Sequence, residues 1–195
     1  MAQKWFPEKP QPSELSLRQI HDYAGQLLDS YPKYLMRETV GKEDWWVDGF
    51  GLASHLGAKF RLRRVTDDPK GHLLTIFSEN EMDIAFEGSS DNRLDRYEAA
   101  IALGHYFLHY HPQEKNELES NETVNFSLCG MGMLASEQVR TFAYSLLMPE
   151  LPFMESLLVV ANQNHATKFF ALDRQFKVRP GMARLRYDLL ESLKG

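Results

Sequence analysis

The run Arg96-Tyr-Glu-Ala-Ala-Ile-Ala-Leu-Gly-His105-Tyr-Phe-Leu-His109 combines apolar residues at helical spacing with two histidines four positions apart. Leu94, Tyr97, Ile101 and Leu108 mark an apolar stripe, and the pattern predicts one helix that stops near Pro112. A helical turn rises about 5.4 Å, so His105 and His109 share a face and could offer two imidazoles to one ion, with a carboxylate from another helix as third donor. Taken alone, two histidines on an amphipathic helix more commonly pack or hydrogen-bond than ligate.

Working outward, an acidic polar loop (Glu114, Glu117, Glu119, Glu122) follows this helix. Ser136 is the expected cap of a further helix carrying Val139, Phe142, Ala143, Leu146 and Leu147, which Pro149 ends. Helices are predicted at about residues 152–163, 165–174 and 180–193. Upstream, Lys59, Arg61 and Arg63 alternate with Phe60, Leu62 and, after one slip, Val65, as in a strand with one polar and one apolar face. Asp67-Asp-Pro-Lys-Gly71 reads as a turn leading to a hairpin partner at Leu73–Phe77, and Asp83–Phe86 as a third short strand before the Gly88–Asn92 loop. Trp45 to Gly57 reads as a short helix ended by the glycine. Near the start, Ser16 and Gln19 form a capping box ahead of Leu17, Ile20, Ala24, Leu27 and Leu28, and residues 1–12 read as an extended arm. The order predicts an α+β fold, with an N-terminal arm and helix over 1–44 and a second part over 45–195, together one compact unit.

Composition narrows the classes. In 195 residues, 43% are hydrophobic and 25% charged, which argues against wholesale disorder. Apolar runs such as Leu157–Ala161 fall far short of the roughly 18 residues that span a bilayer. The opening MAQKWFPEKP lacks the apolar core of a secretory signal, so a cytoplasmic location is expected. A single cysteine, Cys129, excludes an internal disulfide and reads as a free thiol. Met131, Met133 and Met148 read as flexible core filler, and Trp45-Trp46 as a core edge or a partner anchor. The net charge of −5 argues against coating nucleic acid, but residues 168–195 hold seven Lys or Arg against three acids, leaving −9 for the rest. That tail permits a DNA contact through Arg184 and Arg186, or simply a solvated basic face.

The Arg96–His109 stretch resembles the active-site helix of the ImmA/IrrE peptidases, whose pattern runs close to R-F-x-x-A-H-E-L-G-H-x-x-L-H. Ser136-Glu-Gln-Val-Arg-Thr-Phe-Ala-Tyr-Ser-Leu-Leu-Met-Pro149 resembles their second signature, close to E-x-E-A-x-x-F-A-x-x-L-L-M-P. Weaker similarity runs through Leu52–Gly57 and Phe176–Leu185, so the resemblance covers about residues 45–190. It implies a zincin-like fold, an active-site helix on a small twisted, antiparallel-rich sheet, and ordinarily a zinc peptidase. In H-E-x-x-H the histidines bind zinc and the glutamate activates water.

Here Ile101 replaces the first ligand and Ala102 the base, while His105 is retained. Gln138 aligns with the family's glutamate ligand, and Glu137 stands about 100° away around the helix. His105, His109 and Glu98 or Glu137 could form a displaced zinc site, although Glu98 and His109 lie about 16 Å apart along a helix and cannot share one ion. The expectation is therefore a pseudopeptidase with no catalytic residue and no bound metal. Such a chain would bind a protein partner, a helix-turn-helix repressor of a phage or mobile element, as an antirepressor does. The cleft near His105 and the Lys59, Arg61 and Arg63 strand would form its contact surface. An atypical zinc endopeptidase that cuts the repressor is the alternative, and a toxin–antitoxin or DNA-associated component the second.

Overall fold

The computed structural model describes residues 12–38, 44–62, 72–78, 81–86, 92–110, 124–127 and 133–194. Arg63, Val65, the Asp67–Gly71 turn, the acidic loop with Glu114 to Glu122, Cys129 and Met131 lie outside them.

Helix α1 (Leu17–Ser30) begins as its sequence predicts. Ser16 Oγ accepts from the Gln19 amide, and the Gln19 side chain accepts from the Ser16 amide, so the helix start satisfies its own orphan donors. Ile20, Ala24, Leu27 and Leu28 are buried. After a short 3-10 turn (Pro32–Tyr34), strands β1 (Leu35–Glu38) and β2 (Asp44–Val47) pair antiparallel, Met36 opposite Trp46. Trp45 and Trp46 therefore stand in a strand, not at the start of a helix. Their bulky rings suit a pleated ribbon with a nearby partner, which local periodicity did not reveal. Helix α2 (Gly49–His55) follows, capped by Asp48 accepting from the Gly51 amide. Gly57, at φ 92°, takes the left-handed conformation that stops the helix and turns the chain into β3 (Ala58–Leu62).

Strands β4 (His72–Ser78) and β5 (Glu81–Phe86) pair antiparallel, and β6 (Val124–Ser127) adds to β4. The order is β3-β5-β4-β6, with β3 parallel to β5. Two expectations change. β4 is the hairpin partner of β5, not of β3, because two residues suffice to reverse the chain between β4 and β5. The parallel β3–β5 pairing is non-local, and β6 was not anticipated. At the edge, Leu62 is 54% exposed rather than facing the core with Phe60.

Helix α3 (Asn92–His105) runs on into a π-helical turn (Tyr106–Tyr110) and packs against β4 and β5. Helix α4 (Met133–Leu147) lies between α1 and α3. It begins before Ser136, which sits inside it rather than capping it. Helices α5 (Glu150–Val159), α6 (His165–Gln175) and α7 (Met182–Ser192) complete the mixed α+β fold, which is mostly helical. No helix among the described residues is long and apolar enough to cross a membrane. One core joins α1, the sheet (Leu74, Met82, Ile84), α3 (Ile101, Ala102, Leu103) and α4 (Val139, Phe142, Ala143). Burying each large side chain of this set contributes about 1.5–3 kcal/mol.

Candidate functional site

One small residue, Gly104, sets the seam between α3 and α4. A Cβ at Gly104 would come within 3.3 Å of the Phe142 and Val139 side chains, so glycine lets the two helices approach closely. Beside it, Ile101 and Ala102 are buried in the core. At these two positions the chain places apolar side chains within the apolar core.

His105 and His109 are both fully buried, and the helix brings them together as their spacing predicts. Nδ1 of one lies 3.0 Å from Nδ1 of the other. One imidazole must donate from Nδ1 and its neighbour accept, so two neutral rings in this contact are opposite tautomers. Both pKa values are held well below the ordinary histidine range. Burial is the main cause for each, and His109 adds repulsion at His105. Gln138 approaches His109 and partly offsets its shift, but Nε2 of His109 has no hydrogen-bond partner among the described residues.

Gln138 is itself buried, and its carboxamide faces the chain's own beginning. The Ser13 amide donates to Oε1 at 2.8 Å. Nε2 donates to the Ser13 carbonyl at 2.8 Å and to the Leu15 carbonyl at 3.3 Å. Glu137 points to solvent, and Glu98 is buried on α3.

Zinc does not fit this donor set. The two Nδ1 atoms, 3.0 Å apart, can face one ion, but the Gln138 oxygen is engaged by a backbone amide and Ile101 and Ala102 offer no donor, so among the described residues the ion lacks a third ligand. No group of three His, Cys, Asp or Glu able to hold an ion occurs among the described residues.

Of the residues expected at a partner surface, Lys59 is exposed and Arg61 half-buried, both on the edge strand β3, while Arg63 lies outside the described residues. His105 is not at any surface, so an open cleft lined by its imidazole is replaced by a packed seam with Ser13–Leu15 laid over Gln138. The basic tail also changes meaning. Arg184 is exposed but bound to Asp188 at 2.9 Å, and Arg186 is buried and cannot reach a phosphate.

Arg186 belongs to a cluster that sequence reading missed. Its Nε donates to the Met148 carbonyl at 2.9 Å and its Nη1 to Ser145 Oγ at 3.0 Å. His21 Nδ1 lies 3.0 Å from Ser145 Oγ and 3.1 Å from Arg186 Nη1, while His21 Nε2 meets Glu150 at 2.7 Å. Neutral His21, accepting at Nδ1 and donating at Nε2, satisfies every contact. Burial and then Arg186 lower its pKa, against the opposing pull of Glu150. Burial lowers the Arg186 pKa to about 10, so the guanidinium stays charged. A serine, a histidine and a glutamate in hydrogen-bonded sequence suggest a nucleophile. However, Ser145 is 2% exposed and accepts a bond from a cation, so its oxygen is neither reachable nor activated. The cluster ties α1, α4 and α7 together. The available signal was a polar residue inside an apolar stripe: His21 beside Ile20 and Ala24, Arg186 between Ala183 and Leu190.

A cavity of about 800 Å³ lies elsewhere, between α5, α6 and Trp45, with Val159, Phe170 and Arg174 in its wall. Trp46 instead lies between the Arg96 and Lys177 cations, 4.8 and 4.6 Å from its ring. Comparisons of the chain with protein-family models, with curated proteins and with solved structures found no match.

Proposed function

We propose that this chain is a non-catalytic regulator on a zincin-like scaffold, resembling the ImmA/IrrE peptidases, which holds a protein partner without cutting it. The partner class is a helix-turn-helix repressor, and holding it relieves repression, as an antirepressor of a phage or mobile element would. The observation that carries this reading is the packing of the α3–α4 seam. Ile101 and Ala102 are core residues there, and Gln138 spends its hydrogen bonds on backbone rather than on an ion. A peptidase needs a polarised water at that point, and among the described residues no set of ligands in the seam holds a metal that would generate one. The scaffold retains surfaces that can bind, including the edge strand β3 with Lys59 and Arg61.

The test is incubation of the purified chain with candidate repressors, with chelator, with zinc and with manganese, followed by size-exclusion chromatography and mass spectrometry. A stable complex with an intact repressor under all three conditions is expected. Metal-dependent cleavage, or the absence of any complex, overturns the reading.

A further inference from the structure

We infer that Gln138 is the reader of a peptide-backbone slot, that the chain's own Ser13–Leu15 segment occupies this slot, and that a partner segment enters by displacing it. The carboxamide of Gln138 pairs with both the N–H and the C=O of a single residue, Ser13, and adds a third bond to the Leu15 carbonyl. All three partners are main-chain atoms, which every peptide presents apart from the missing N–H of proline, so Gln138 itself reads no side chain, while the Ser13 hydroxyl accepts from the Leu15 amide at 3.2 Å and bends the segment. Two features make the segment exchangeable. The Ser16–Gln19 capping box satisfies the start of α1 locally, so residues before Ser16 can leave without unwinding the helix. Glu14 and Ser16 are exposed, and Ser13 and Leu15 are only half-buried. Gln138, by contrast, is fully enclosed, and if its amide lost these bonds it would be left unsatisfied in the core. The slot therefore favours exchange of one backbone for another over simple opening. That the incoming segment belongs to a regulatory partner rests on the function proposed above; the slot itself does not.

The experiment uses the full chain and a fluorescein-labelled peptide of residues 10–17 of its own sequence. Ser13→Pro removes the N–H that Gln138 accepts and leaves the slot intact. In the native chain the tethered segment competes at high effective concentration, so the peptide should bind the Ser13→Pro chain at least about tenfold more tightly than the native one. Adding Gln138→Leu should abolish that binding. A second measurement needs no substitution. Excess unlabelled peptide should speed deuterium exchange at the native Ser13 amide, and a peptide carrying N-methylserine at that position should not. Equal binding to native and Ser13→Pro chains, binding that survives Gln138→Leu, or unchanged exchange at Ser13 overturns the slot. Repressor binding that persists while the peptide tests fail would instead place the partner on another surface, so the two readings fall separately.

Discussion

Gln138 and Ser145 stand seven residues apart on α4, two turns on one face, and each holds a piece of the chain's N-terminal segment. At Ser145 the partners are side chains. His21, Arg186 and Glu150 interlock so that each contact requires that residue type. At Gln138 the groups bonded at 2.8–3.3 Å are main-chain atoms of a segment outside any helix, with the His109 ring alongside. The first arrangement is specific and closed. The second is generic and exchangeable. One helix therefore carries a structural staple at one end and a binding element at the other, distinguished by whether side chains or backbone answer the buried polar group.

The sharpest way to break this contrast is Arg186→Met. It removes a buried cation that serves Met148, Ser145 and His21 and leaves those groups unanswered. A loss of about 3 kcal/mol or more is expected in urea unfolding, against little measurable change for exposed Arg184→Ala. A loss below 1 kcal/mol at Arg186 would mean that the cluster is not a staple.

Acid has an effect of comparable size. His21, His105 and His109 all have folded-state pKa values below the unfolded value, so unfolded chains take up protons first. Stability is full above the unfolded histidine pKa near 6.5 and is lost as pH falls below it toward the folded values. Each of His105 and His109 should contribute a slope of up to about 1.4 kcal/mol per pH unit across that window, measured by chemical unfolding at pH 7, 6 and 5. A flat profile would mean that these rings are solvated. A smaller effect belongs to Gln138→Leu, about 1 kcal/mol, because the released backbone groups are near enough to the surface to find water. A cost as large as that at Arg186 would erase the distinction between the two ends of α4.

Much of the helical layout was legible because its signals are local. The capping box at Ser16, the stop at Gly57 and the helix break at Pro149 each act within a turn or two of the residue concerned. The pairing of His105 with His109 followed from spacing alone. What local signals left hidden was non-local. β6, the parallel pairing of β3 with β5, and the β1–β2 ribbon that takes Trp45 and Trp46 all depend on partners far away or on turns with weak signatures. Arg186 read as a surface cation because the basic residues around it are exposed. Its burial comes from how α7 docks against α4, where Arg186 meets Ser145 and the Met148 carbonyl.

The sequence by itself determined the α+β class, most helix positions and the apolar identity of Ile101 and Ala102 one turn before His105. These follow from side-chain chemistry and from periods of a few residues. Only the tertiary structure decided that the seam is packed, that Gln138 holds Ser13, and that His21 meets Arg186. Contacts spanning more than a hundred residues arise from how whole elements dock, and docking is set by the summed burial of many side chains rather than by any one of them.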